Sequence, residues 1–237
     1  MPISPARAAA FEILIRVATT GAYASELLHS SRFARLSPNN HGLATELVMG
    51  VLRWRSLLDA GIGQLASQPL SKLDCEVLTS LRMGAYQLSF LHRIPQHAAI
   101  HESVELVKTS GKRSASGVVN AVLRKLVRTG AIPSVLGEGG PLGEPGRFEA
   151  SHPQWMVERW GRIYGAETTH KICEYNQSPP ESAIRVSKEL SIEGIVLVPG
   201  ALLTGTARVK AGEIARTESL REGRIIIQDE ASQLVAL

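Results

Sequence analysis

The chain has 237 residues, of which 44% are hydrophobic and 20% charged, a composition that excludes disorder throughout and allows one large domain or two small ones. Its longest apolar stretches, such as residues 48–52, fall far short of the roughly 20 residues that span a bilayer. The N-terminus lacks a basic start followed by an apolar run, and two cysteines cannot build a disulfide framework. A reducing, cytoplasmic setting with no membrane partner is the expectation. The net charge of +4 is uneven: residues 1–130 hold 15 Lys+Arg against 8 Asp+Glu, and residues 131–237 hold 11 against 14. A basic front half suits a polyanionic partner such as a nucleic acid, with an ordinary basic surface as the alternative.

Residues 5–128 read as six or seven consecutive amphipathic helices in a bundle. Phe11, Leu14, Ile15 and Ala18 share one helical face, and Leu43, Leu47, Val51, Trp54 and Leu58 form one continuous stripe. Leu78, Leu81, Ala85 and Leu88 follow, then Ile100, Val104 and Val107, then Val119, Val122, Leu123 and Leu126. Ser37 before Pro38 marks a helix start, because the hydroxyl accepts a bond from an early N–H and proline needs no donor there. Pro95 breaks one helix and opens the next.

A linker spans residues 131–150; six glycines and three prolines fall within residues 130–146. A helix restarts at Ser151, whose spacing to Gln154 is that of a capping box, with Trp155, Trp160 and Ile163 as its apolar contacts. A second short helix covers about 166–176. Residues 183–186, 195–198, 206–209 and 224–227 are short runs rich in β-branched residues, separated by glycines, and read as strands. The final QDEASQLVAL looks like the opening of another helix. The fold class is therefore mainly α: an N-terminal all-helical bundle followed by a smaller α+β domain.

Four stretches, in this order, resemble the RsmB family (also called Sun or Fmu) of bacterial ribosomal-RNA cytosine-5 methyltransferases. They are residues 46–55 (ELVMGVLRWR); residues 94–106 (IPQHAAIHESVEL) with 119–125 (VNAVLRK); His152-Pro153-Gln154-Trp155 through Trp160 with 176–185; and residues 223–235 (GRIIIQDEASQLV). The resemblance implies a NusB-like helical RNA-binding domain at 1–130, a linker at 131–150, a small α+β pre-catalytic domain at 151–222 and the start of a methyltransferase domain at 223–237. It also implies ribosomal RNA as a partner, a ribosomal protein as a second one, and S-adenosylmethionine as the cofactor of a full-length member. The family's Rossmann-like catalytic domain, with a glycine-rich cofactor loop and cysteines in Pro-Cys and Thr-Cys settings, has no match in this sequence. Gly139-Gly140 follow no strand and open no helix. The chain thus looks like the front half of such an enzyme, with neither catalysis nor cofactor binding expected of it. The competing reading, a stand-alone NusB-like factor holding RNA and a ribosomal protein in transcription antitermination, leaves residues 131–237 unexplained. A helical interaction protein with no RNA role is a third.

Cys75, flanked by Asp74 and Glu76, and Cys173 read as small buried hydrophobes rather than nucleophiles. His92, His97 and His101 are close in sequence, yet no carboxylate or cysteine completes a recognisable ligand set, so no metal is expected. Glu102, Asn120 and Arg124 are expected to tie helices together through buried hydrogen bonds, and Trp155 and Trp160 to lie in an interdomain core. Arg53 with Arg55, Lys112 with Arg113, and Lys125 with Arg128 are the candidates for RNA phosphate contact. Gln228, Asp229 and Ser232 are placed by the resemblance at the edge of the substrate and cofactor crevice; the alternative is a strand-to-helix turn capped by Asp229.

Overall fold

The computed structural model describes residues 3–33, 35–130, 148–177, 181–186, 191–212, 214 and 217–236. Among the described residues seven α-helices precede Gly130: α1 (Pro5–Thr20), α2 (Ala24–His29), α3 (Pro38–Arg53), α4 (Arg55–Leu65), α5 (Cys75–Phe90), α6 (Gln96–Thr109) and α7 (Ser116–Thr129). Among the described residues no strand lies before Gly130, and no helix is long and apolar enough to cross a membrane. The start signals behave as read. Ser37 Oγ accepts from the Asn40 N–H with Pro38 in the first turn of α3, and Pro95 caps α6.

Helix α5 is the centre of the bundle. Val77 and every residue from Thr79 to Gln87 are buried, and α1, α3, α4, α6 and α7 all pack against it. Two glycines permit the closest approaches. A Cβ on Gly50 of α3 would lie 2.0 Å from the Tyr86 ring, and one on Gly84 of α5 would lie 2.6 Å from Leu123 and 2.8 Å from the Ser103 hydroxyl. Trp54, Phe90 and Tyr86 stack in series, with centroids 5.1 Å apart at each step.

Two helix readings need correction. The stripe from Leu43 to Leu58 is cut at Trp54, where α3 ends and α4 begins. The stripe survives the break because both helices turn their apolar faces to the same neighbour, α5. In α1 the buried face is Ala6, Ala9, Ala10, Phe11, Ile13 and Leu14, while Ile15 is half-buried and Ala18 exposed. The apolar run of α1 offers two overlapping faces, and packing selects the alanine-rich one.

After the 131–147 stretch, which lies outside the described residues, a 3-10 turn (Glu149–Ser151) packs against α4 and leads into α8 (Gln154–Tyr164) and α9 (Ala166–Tyr175). Helix α8 starts at Gln154 behind Pro153 with no side-chain cap, because Ser151 Oγ donates instead to the Phe148 carbonyl at 2.6 Å. The expected capping box is therefore not made. Trp155 is 61% exposed and is no core residue; Trp160 is half-buried against the His152 ring.

The chain forms two compact units, divided after Tyr175. In the first unit α8 and α9 follow the turn that packs on α4, and in the second unit residues 225–227 join the sheet. That sheet contains β1 (Ala183–Val186), β2 (Val196–Pro199), β3 (Thr206–Ala211) and β4 (Ile225–Ile227), in the order β2-β3-β1-β4 with antiparallel neighbours throughout. Helices α10 (Glu218–Arg221) and α11 (Glu230–Leu234) flank β4 in sequence. Ile184, Ile192, Ile214 and Ile225 form its core. Strands β1 and β2 are both antiparallel to β3 and so parallel to each other, yet only residues 187–195 join them. Such crossovers usually take a dozen or more residues and a helix; Ile192, buried beside Ile184 and Ile225, covers the sheet face here.

Candidate nucleic-acid interface

Helix polarity decides which of the six candidate cations meet. The connection at 91–95 is short, so α5 and α6 run antiparallel; Ser80 Oγ donates to the Ser103 carbonyl at their middle. The 110–115 connection reverses the chain again, so α7 runs parallel to α5, with Leu123 beside Gly84. Helix α4 is antiparallel to both: Trp54 stacks on Phe90, and one turn further on Asp59 takes a two-pronged bond from Arg82 at 2.6 and 2.7 Å. The end of α3, the start of α4 and the end of α7 therefore lie at the same end of the bundle. Arg53 and Arg128, both exposed, lie there, with exposed Lys125 about one turn back along α7; Arg55, at the start of α4, lines a groove with Val17, Ala18, Thr79 and Arg82. Lys112 and Arg113 lie at the other end, separated by the 14 residues of α7, about 20 Å of helix.

The two ends differ in charge. Helix α7 carries no carboxylate, and the single carboxylate of α3, Glu46, accepts a 2.5 Å bond from Tyr86. Burial, followed by the Glu46 carboxylate, holds the Tyr86 phenol well above its ordinary value. Glu102 is turned inward, bonded to Arg7 at 3.0 Å and to the Ser4 N–H at 2.7 Å. At the far end Asp74 pairs with Lys112 at 3.1 Å and raises the ammonium's pKa, while Glu76 and Glu105 lie on the adjoining turns of α5 and α6.

Of the three residues expected to tie helices together, Glu102 does so. Asn120 and Arg124 do not: Arg124 Nε donates to Asn120 Oδ1 at 3.0 Å along the exposed side of α7, the i,i+4 geometry that their spacing allows. Cys173 is fully buried, and burial together with the Glu149 carboxylate pushes its thiol up to about 11. Among the described residues no group of three or more His, Cys, Asp or Glu side chains could hold a metal ion.

In the second unit Asp229 caps α11, accepting from the Ala231 N–H at 2.8 Å, and Ser232 is exposed. The sequence reading missed Glu230. Its buried carboxylate accepts the backbone N–H groups of Ala201, Leu202 and Leu203 at 3.0–3.2 Å. Those bonds, led by Leu202 and Ala201, hold its pKa below the ordinary carboxylate range. Gly200 completes the seat, since a Cβ there would lie 2.3 Å from the carboxylate. No local pattern marks such a partnership, which joins residues nearly thirty positions apart.

The model described as the NusB family matches residues 4–128, the same helices whose ends form the two charged faces. The chain belongs to the NusB family. Its NusB-family domain is followed by a match at residues 152–192 to the RsmF/B-like methyltransferase, ferredoxin-like domain. The chain is 36% identical over 238 residues to the probable ribosomal RNA small subunit methyltransferase B of Bacillus subtilis (strain 168), covering 96% of this chain and 53% of that protein. It is 30% identical over 216 residues to the ribosomal RNA small subunit methyltransferase B of Pseudomonas putida, covering 85% and 47%. The chain thus spans about half the length of the curated relatives it matches. In fold it is similar to PH0851, with a TM-score of 0.60 at 18% identity over 100% of this chain and 55% of that one. The NusB of T. maritima gives a TM-score of 0.50 at 22% identity, over 57% of this chain and 96% of that one.

One cation of the NusB-family bundle escaped the sequence reading. Arg93 is exposed in the 91–95 turn, at the same end as Arg53 and Arg128. Pro95, read correctly as a helix break, was the signal that could have placed it there.

Proposed function

We propose that this chain is the RNA-holding front portion of an S-adenosylmethionine-dependent ribosomal-RNA cytosine-5 methyltransferase, gripping RNA phosphates with Arg53, Arg55, Lys125 and Arg128. What supports the reading is that helix polarity brings the exposed Arg53, Lys125 and Arg128 toward one end of the bundle, while Glu46 and Glu102 are engaged by Tyr86 and Arg7. Guanidinium and ammonium groups on exposed helix ends neutralise phosphates and fix the position of the RNA without reading its sequence. The match at residues 152–192 to a methyltransferase-associated domain favours this reading over a stand-alone NusB-like factor.

The cofactor does not fit the residues described. A nucleotide-type cofactor sits outside the carboxyl ends of parallel strands, whereas neighbouring strands here are antiparallel throughout. S-adenosylmethionine chemistry therefore belongs, in this reading, to the part of the relatives that the chain does not span. Fluorescence anisotropy with a labelled ribosomal-RNA hairpin tests the proposal. Log affinity should fall linearly with log salt, at a slope near −3 for about four phosphate contacts at roughly 0.7–0.9 each. No binding at low salt contradicts it.

A further inference from the structure

We propose that a cleft in the second unit binds one unpaired nucleotide of RNA, with Arg185 on the phosphate and Gln228 on the base edge. The inference rests on the reading of this chain as an RNA-holding one, but it concerns a separate surface. The cleft measures about 600 Å³, and Arg185, Thr204, Gly205, Arg224, Ile226 and Gln228 are among its lining residues. Side chains alternate across a strand, and Arg185 pairs in register with Thr206 of β3 and Ile226 of β4. These three therefore lie on the sheet face opposite the Ile184 and Ile225 core.

Most polar groups around the cleft are already committed. Gln233 accepts from Thr206 Oγ1 at 2.8 Å and donates to the Gln228 carbonyl at 2.9 Å. Arg224 pairs with Glu222 at 2.6 Å. Among the described residues the Arg185 guanidinium and the Gln228 carboxamide have no hydrogen-bond or ion-pair partner, and both line the cleft. A planar guanidinium suits a phosphodiester, and a carboxamide supplies both a donor and an acceptor to a base edge. Ile226, 52% exposed, offers an apolar surface to the ring. The volume lies within the range of ligand pockets.

Charge selects between the two ligands a methyltransferase handles. S-adenosylmethionine, with a sulfonium, an ammonium and one carboxylate, is a net cation, whereas a nucleotide phosphate is an anion and matches the Arg185 guanidinium. The base edge must be open to reach Gln228, which requires an unpaired nucleotide.

The test uses the full chain and a fluorescein-labelled single-stranded RNA pentamer containing cytidine and one 4-thiouridine. Anisotropy at low salt should show affinity falling about tenfold in Arg185→Ala and about fivefold in Gln228→Leu, with circular dichroism spectra unchanged. Near-ultraviolet cross-linking should label the second unit. Affinity unchanged in both variants, or cross-links on the bundle alone, overturns the proposal. CMP competing at the pentamer's own concentration makes the cleft a free-nucleotide site and overturns the RNA assignment. A chain that binds the hairpin but no pentamer loses only the cleft; one that binds neither loses the proposed function as well.

Discussion

Arg7 and Glu102 meet at 3.0 Å across the bundle, 95 residues apart, each with 8% of its side chain exposed. Arg7 Nε also donates to Gln87 at 2.6 Å, and the Ser4 N–H closes the second carboxylate oxygen. The network thus joins the start of α1 to α5 and α6. Removing one partner of a buried pair leaves an uncompensated charge and typically costs about 3–5 kcal/mol. Arg7→Ala should lower bundle stability by that order in urea denaturation. The double replacement Arg7→Met with Glu102→Leu should cost less than Arg7→Ala alone, since no charge is then left buried.

The glycines of the bundle separate into two kinds. Ala at Gly50 or Gly84 places a methyl inside the Tyr86 ring or against Leu123, and overpacking of this kind costs about 1–3 kcal/mol. A Cβ on Gly42 of α3 would meet nothing within 4 Å, and there Gly→Ala should stabilise by about 0.4–1 kcal/mol through the unfolded chain. Thermal melts of the three single variants check the opposite signs.

Glu230 links the second unit to pH. Its folded-state pKa lies below the ordinary carboxylate range, so its contribution is present above that range and is lost as pH falls through the depressed value. The amide shifts of Ala201, Leu202 and Leu203 should titrate together in acid, followed by NMR. Glu230→Gln should abolish that shared titration.

Cys173 should stay unmodified by iodoacetamide at pH 8 in the folded chain, because its thiol is buried and raised to about 11. Cys75, half-exposed at the first position of α5, should be alkylated first. Mass spectrometry of a time course resolves the order.

The helices and strands were legible because each hides one face, and period 3.6 or period 2 records which. Strand β1 coincides with the run read at 183–186, and Val119, Val122, Leu123 and Leu126 are all buried. What periodicity does not carry is partnership at a distance. Asp74 neutralising Lys112, Tyr86 engaging Glu46 and Glu230 seating the 201–203 backbone each join distant segments. Local spacing also could not show that Lys112 and Arg128 stand at opposite ends of one helix; that follows from the polarity of α7 within the bundle.

The central claim, that RNA is held at the Arg53–Arg128 end, is tested most directly by comparing two double variants across a salt series with the same hairpin. Arg53→Ala with Arg128→Ala should make the log–log slope shallower by about one to two units, and exposed substitutions of this kind change stability little. Lys112→Ala with Arg113→Ala should leave the slope close to that of the parent chain. A slope that moves with Lys112 and Arg113 but not with Arg53 and Arg128 contradicts the account.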